Sequence, residues 1–292
     1  MKILVNVKQN IAWLVCLFFF LLQVQAKQPP KEKIELKLLS YNIRFVNSKD
    51  TGVFAWKMRR EANIKMLKKV RADVFGIQEP TPEAISYLKK YLLQYDSYGR
   101  CGEKVTDRVP TIFWLRNRFE LLDSGDFWVS DTPEVVSKGW DAKHYRSTSW
   151  VKLREYATGK EFYYFNTHLD HIGSEAKKNG VRVNVEQMQK IAGGNAVVFI
   201  SGDMNIQRHK SNGYFLNPYY DWMKGARESA RRSTVDPTFN GFKDEKNRAA
   251  YLDYIFYRGN DVKAHRFKVC NEKGYGVKFI SDHYPIICEF KL

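Results

Sequence analysis

Cysteine is scarce in this chain and widely scattered: four in 292 residues, at Cys16, Cys101, Cys270 and Cys288. With six histidines also present, no Cys-x-x-Cys and no His-x-x-x-His pair occurs, so the ligand spacings of the common zinc sites are missing. Any metal would have to be held by oxygen. The cysteines make no disulfide framework either, although one bridge among Cys101, Cys270 and Cys288 stays open. Cys288 lies in a strand-like apolar run and reads as a small buried hydrophobe. There is no internal repeat and no low-complexity tract, which excludes solenoid and linker-like organisation. No dense basic run is present, so charge alone tilts only modestly toward phosphate substrates.

What the chain does have begins at the N-terminus. Lys2 and Lys8 precede an apolar run from Ile11 to Leu22, and Val24-Gln25-Ala26 supplies small residues at signal-peptidase spacing. The run is shorter than the ~20 residues of a membrane span. Residues 1–26 therefore read as a signal peptide, and residues 27–292 as one exported, periplasmic or extracellular domain without stable membrane insertion after cleavage. The mature chain of 266 residues (292 − 26) suits one large α/β domain. Its formal charge is +14 (+16 less Lys2 and Lys8), which favours anionic partners. Much of that charge falls in helix-like segments, such as Arg59, Arg60, Lys65, Lys68 and Lys69, as solvated helix faces would require.

Periodicity gives the coarse organisation. Strands are expected at Ile34 to Tyr41, Asp73 to Gln78, Thr111 to Leu115, Phe127 to Val129 and Thr148 to Leu153. Further strands are expected at Glu161 to Asn166, Ala196 to Ile200, Leu252 to Tyr257 and Pro285 to Phe290. Helices are expected at Trp56 to Val70, Pro82 to Leu93 and Ser174 to Ile191. Long strand runs in each half, with helices near the start and middle, predict two mixed β-sheets packed face to face with helices outside.

The strand ends carry an unusual set of polar groups: Asn42, Glu79, Asn166-Thr167-His168, then Asp203 and Asn205. Asp253 opens a later strand, and Asp282-His283 precedes the last. Polar groups are costly inside a sandwich but can share a cleft at its edge. Each alone has an ordinary reading as a turn residue, a helix-terminal charge or a half-buried imidazole.

Together they resemble the endonuclease/exonuclease/phosphatase superfamily, which shares its fold with deoxyribonuclease I. The resemblance rests on Ser40-Tyr41-Asn42, Gly76-Ile77-Gln78-Glu79-Pro80, Asn166-Thr167-His168-Leu169, Gly202-Asp203-Met204-Asn205, Leu252-Asp253-Tyr254-Ile255 and Ser281-Asp282-His283-Tyr284-Pro285, all in family order. It implies a four-layer α/β sandwich and hydrolysis of phosphoester bonds with Mg2+ or Mn2+. By that resemblance Glu79 is the principal metal ligand, assisted by Asn42 and Asp282. Asp203 orients or deprotonates the attacking water, and Asn205 donates to the phosphoryl oxygens. His283 contacts the phosphate with its tautomer held by Asp253, and His168 binds from the opposite side. The base stays open between Asp203 and His283.

Arg146, Phe239 and Asn240 are further substrate-binding candidates, and Arg100, Arg108, Tyr145 and Arg182 are comparable. Asp170 and His171 are tempting ligands beside His168. Trp128, Trp140 and Trp150 could stack on bases, although core packing is their commoner fate. The leading expectation is a secreted, monomeric, metal-dependent phosphodiesterase acting on nucleic acid. The alternatives are a phospholipase C- or sphingomyelinase-like enzyme, or an inositol- or sugar-phosphate phosphatase. A non-catalytic phosphate-binding module should lack one of Glu79, Asp203, Asn205 or His283, and this chain has all four.

Overall fold

The computed structural model describes residues 33–100, 109–243 and 250–292. The expected signal peptide, Cys101 and Arg108 lie outside the described residues. In chain order the strands are β1 (Glu35–Asn42), β2 (Val74–Gln78), β3 (Tyr95–Tyr98), β4 (Thr111–Leu115), β5 (Phe119–Trp128), β6 (Ser147–Glu155) and β7 (Glu161–His168). They continue through β8 (Val198–Asp203), β9 (Lys224–Gly225), β10 (Arg232–Ser233), β11 (Asp253–Arg258), β12 (Lys263–Val269) and β13 (Ile286–Lys291). The helices are α1 (Trp56–Val70), α2 (Pro82–Tyr91), α3 (Ser174–Ala192) and the short α4 (Asn217–Trp222) and α5 (Ala226–Ser229).

One sheet runs β10-β12-β13-β1-β2-β4-β3 and the other β5-β6-β7-β8-β11-β9. Leu36, Leu38, Val74, Phe162, Tyr164 and Phe199 fill the space between the sheets. Leu39, Tyr41, Phe75 and Ile77 point the other way, under α1 and α2. Phe165, Val198 and Ile200 pack with Val181, Val185 and Met188 of α3. The expected four-layer α/β sandwich is what the chain forms.

The alternation of strand side chains explains where the site lies. Followed along the faces that meet between the sheets, β1 reads Leu36, Leu38, Ser40, Asn42, and β2 reads Val74, Gly76, Gln78. Opposite them β7 reads Phe162, Tyr164, Asn166, His168, and β8 reads Phe199, Ser201, Asp203. β1 is parallel to β2, and β7 to β8, so all four polar ends reach the same edge. β11 runs antiparallel to β8 and opens with Asp253 opposite Asp203. The inter-sheet space is thus apolar at one end and grades into a polar edge at the other.

Below that edge the sheets are stitched by buried hydrogen bonds. The Tyr164 hydroxyl donates to the Leu39 carbonyl at 3.0 Å and lies 2.6 Å from Ser201 Oγ. Asn166 Nδ2 donates to the carbonyls of Ile77 and Thr111 at 3.0 and 3.1 Å, while its oxygen accepts from Gln78 Nε2 at 2.7 Å. A Cβ on Gly76 would stand 2.5 Å from the Asn166 side chain, so the glycine is what admits the amide.

The structure departs from the expected elements in three ways. β5 is longer than Phe127 to Val129, and β3, β12, the two-residue β9 and β10, and the short α4 and α5 were not anticipated. Tyr95–Tyr98 is a polar edge strand, and Lys263–Val269 interleaves its apolar residues with Lys, His and Arg, so neither shows the apolar run of a central strand. Arg59 is the third difference. It does not lie on a solvated face but is fully buried, its guanidinium donating to the carbonyls of Phe54, Ile43 and Ile280 at 2.7, 3.1 and 2.8 Å. Asn63 of α1 also donates to Ile280, at 3.0 Å. Together they pin the segments that leave Asn42 and lead into Asp282.

Candidate active site

Asp203 is the hub of the polar edge. It is 2 % exposed, and its Oδ2 lies 3.1 Å from Asn42 Nδ2, 3.5 Å from His168 Nε2 and 3.6 Å from His283 Nε2. Oδ1 accepts the Asn205 N–H at 3.0 Å. The opposite nitrogen of His283, Nδ1, stands 2.9 Å from Asp253 Oδ2. The result is a continuous row, Asp253–His283–Asp203–His168, with both carboxylates and both imidazoles buried.

Several backbone features hold the row in place. Gly202 precedes Asp203 at a point where a Cβ would meet the Thr167 carbonyl at 2.0 Å, so only glycine lets β7 and β8 approach this closely. Asn205 and Glu79 both adopt left-handed backbone, with φ of +50° and +54°. Non-glycine residues rarely do so, and the cost is borne where it aims a side chain. The Thr238 hydroxyl accepts the N–H groups of Leu252 and Asp253 at 3.0 and 3.1 Å. Ser281 donates to the Asn42 carbonyl at 2.7 Å, joining the two chain segments of the edge.

The electrostatics divide the row. Burial raises the Asp203 carboxyl, His283 opposes that rise, and Asp253 adds to it, leaving the group up at about 7. Burial alone would lower His283, but Asp253 and Asp203 on its two sides lift it to about 10. Two flanking carboxylates therefore favour the protonated imidazole, and burial makes Asp203 a stronger proton acceptor than a free carboxylate. That arrangement favours Asp203 as the proton acceptor and His283 as a fixed positive charge.

Beside the row lies a second acidic group. Burial raises the Asp282 carboxyl; His283 lowers it, Glu79 raises it again, and Arg44 lowers it. Arg44 Nη1 lies 3.4 Å from Asp282 Oδ2 and Glu79 Oε2 accepts the Phe45 N–H at 3.0 Å. Asn42 Oδ1 accepts the Arg44 N–H at 3.0 Å. Glu79 is close enough for its charge to act on Asp282, and with the Asn42 amide oxygen these residues supply oxygen donors of the kind a hard divalent cation takes. Asp203, Asp253 and His283 also bring three donor atoms within 4.8 Å of one another. There His283 Nδ1 is engaged with Asp253 Oδ2 at 2.9 Å while Nε2 faces Asp203 Oδ2 at 3.6 Å, so this cluster could also hold a metal ion.

Other candidates fall at varying distance from the hub. Asn205 Nδ2 lies 3.3 Å from His168 Nε2 and donates to the Leu169 carbonyl at 3.1 Å. The Phe239 ring meets the His283 imidazole edge to face, 4.9 Å between centroids. Asn240 spends its side chain on its own turn, donating to the Ser281 carbonyl and accepting the Phe242 N–H. Arg146 is buried against Asp170, with Nε 3.6 Å from Oδ2. Arg100 pairs with Asp126, and Arg182 with Glu186 on the exposed side of α3. Trp128 packs edge to face on Tyr145, and Trp150 packs with Tyr163 and Phe165. Arg44 and Thr238 carry geometry that sequence reasoning did not assign to them. Arg44 has one signal, its place two residues after Asn42, and that signal is weak.

A buried carboxylate–imidazole row beside the carboxylates of Glu79 and Asp282, at the edge of two packed sheets, fits a hydrolase of the deoxyribonuclease I-like fold. The Endonuclease/Exonuclease/phosphatase family model matches residues 39–283, and the chain belongs to that family, whose members are phosphoester hydrolases. An endonuclease/exonuclease/phosphatase family protein from Bacteroides thetaiotaomicron is 28% identical, with a TM-score of 0.80 over 89% of this chain and 99% of that one. A mannosyl-6-phosphatase from Bacteroides thetaiotaomicron is also 28% identical, with a TM-score of 0.79 over 87% of this chain and 99% of that one. TDP2 from D. rerio, complexed with a single-strand DNA product, shares the fold at 20% identity, with a TM-score of 0.71 over 88% and 98%.

Proposed function

We propose that this chain is an exported, divalent-metal-dependent phosphoester hydrolase whose substrate is a small sugar phosphate. The observation that carries the hydrolytic reading is the placement of Asp203 between Asn42, His168 and His283, with His283 held charged by Asp253. Asp203 takes a proton from water as the water oxygen bonds to phosphorus. The charge that builds on the phosphoryl oxygens faces the His283 imidazolium and the Asn205 amide, and as the P–O ester bond breaks the ester oxygen takes a proton from solvent and leaves as an alcohol. Glu79 and Asp282, with Asn42, would hold Mg2+ or Mn2+. When bound, the cation polarises the phosphate and offsets its negative charge.

Two observations favour a small substrate over a polymer. The tryptophans that could have stacked on bases are engaged in packing, and the similarity to the mannosyl-6-phosphatase extends over almost the whole domain. A nucleic-acid phosphodiester is the second reading, favoured by the net charge of +14 on residues 27–292. The test is a panel of mannose 6-phosphate, inositol phosphates, RNA, single-stranded DNA and bis(p-nitrophenyl) phosphate, assayed with magnesium or manganese and again after chelation. Turnover of mannose 6-phosphate that chelation abolishes supports the proposal. Turnover of the nucleic acids alone selects the second reading, and metal-independent turnover refutes the metal assignment.

A further inference from the structure

Next to the catalytic row one carboxylate gathers two loops. Asp170 stands two residues beyond β7 and is 1 % exposed. Its Oδ1 accepts the N–H groups of Ile172 and Gly173 at 2.9 and 2.8 Å, and its Oδ2 those of Lys143 and His144 at 3.1 and 3.2 Å. The Arg146 guanidinium lies against the same Oδ2. The turn after β7 and the loop entering β6 are therefore fastened to each other through a single side chain.

The fastened unit presents His171. Arg146 Nη2 lies 3.3 Å from His171 Nδ1. A guanidinium has no acceptor, so it must donate, and the ring must accept at Nδ1. A neutral His171 then carries its proton on Nε2. The ring is braced on its face by His144, with centroids 5.6 Å apart and planes at 14°. Burial, and then Arg146, shift His171 toward its neutral form; Asp170 opposes them, Lys143 adds to them, and Glu79 opposes them more weakly. His171 is nonetheless solvent-exposed, so it offers an oriented donor in the turn three residues beyond His168 of the catalytic row.

We propose that His171 is a specificity-determining residue that donates from Nε2 to a hydroxyl oxygen on the sugar half of the substrate, with Asp170 as its positioning residue. A neutral N–H suits an uncharged oxygen, whereas the phosphate is already served by His283, His168 and Asn205. The proposal rests on the sugar-phosphate reading above.

Titration calorimetry on the full chain carrying Asp203→Asn, with magnesium present, tests it. The ligands are mannose 6-phosphate, inorganic phosphate and a single-stranded oligonucleotide, each with and without His171→Ala. The expected result is that His171→Ala weakens mannose 6-phosphate about three- to ten-fold, the worth of one hydrogen bond to an uncharged group. Inorganic phosphate should weaken distinctly less. Equal weakening of both, no weakening of mannose 6-phosphate, or a loss confined to the oligonucleotide overturns the assignment. If the chain with Asp203 intact hydrolyses no phosphoester, the parent reading fails and this one with it. If hydrolysis is present and the affinities do not separate, only the role of His171 is rejected.

Discussion

Asn166→Leu isolates what the inter-sheet amide contributes, because leucine nearly matches asparagine in shape and leaves no large void. Asn166 is fully buried and makes three hydrogen bonds across the sheets, to Ile77, Thr111 and Gln78. The substitution strands two backbone carbonyls and removes one of the acceptors of Gln78 Nε2, which keeps Ser40 Oγ at 3.0 Å. At ~1–3 kcal/mol for each buried group left unsatisfied, and allowing for shared relaxation, the expected loss is about 3–5 kcal/mol. That is a large fraction of the ~5–15 kcal/mol that holds a typical domain folded. Urea unfolding followed by tryptophan fluorescence gives the stability, and kcat on a phosphoester with magnesium gives the functional effect. Turnover should fall as well, since Gln78 immediately precedes Glu79. A stability loss below about 1 kcal/mol with kcat unchanged would refute the reasoning, by showing that the stitch is replaceable by apolar contact.

Three other perturbations have definite outcomes. Asp203→Asn should lower kcat by about a thousand-fold or more while the melting temperature stays close to that of the parent, and a variant retaining near-full rate would reject Asp203 as the proton acceptor. The rate should rise with pH through the raised titration of Asp203 near 7 and decline as His283 loses its proton near 10; a rate that falls between pH 5 and 8 contradicts the division of roles. For Asp170, burial would raise the carboxyl, but the Gly173 and Ile172 N–H groups and Arg146 hold it down at about 2. Because its folded value is depressed, its contribution is present above the unfolded value near 4 and is lost as pH falls toward 2. Asp170→Asn should therefore cost at most about 2 kcal/mol at pH 7 in urea unfolding, with the gap to the parent closing between pH 4 and 2. A gap that widens on acidification would show the sign to be wrong.

The central strands were legible in the sequence because both of their faces are buried, and this leaves continuous apolar runs such as Val198-Phe199-Ile200. β3 and β12 were not, since an edge or near-edge strand alternates with charge and resembles a loop. The strand-end residues were legible as a set, and the structure brings Asn42, His168, Asp203, Asn205, Asp253 and His283 into one cluster joined by hydrogen bonds and carboxylate–imidazole contacts. Their supports were not legible. Arg59 carries the same charge as its solvated neighbours on α1, and only the carbonyls of Phe54, Ile43 and Ile280 reveal that it is buried. Asn240 looked equally functional in sequence, yet its amide is committed to Ser281 and Phe242. Spacing along a chain cannot distinguish an amide that holds a turn from one that faces a ligand.

The two sheets bring different chemical duties to the edge. Asn42 ends β1 and Glu79 directly follows β2 in one sheet, while His168, Asp203 and Asp253 come from β7, β8 and β11 of the other. The distance between proposed cation and base is therefore set by how the sheets are spaced, and not by either sheet alone. Each half could keep its own geometry while the enzyme lost rate through a change in the gap. Substitutions at Tyr164, Ser201, Gly76 or Asn166, none of which belongs to the row itself, act on that gap as a tuning dimension for the whole reaction.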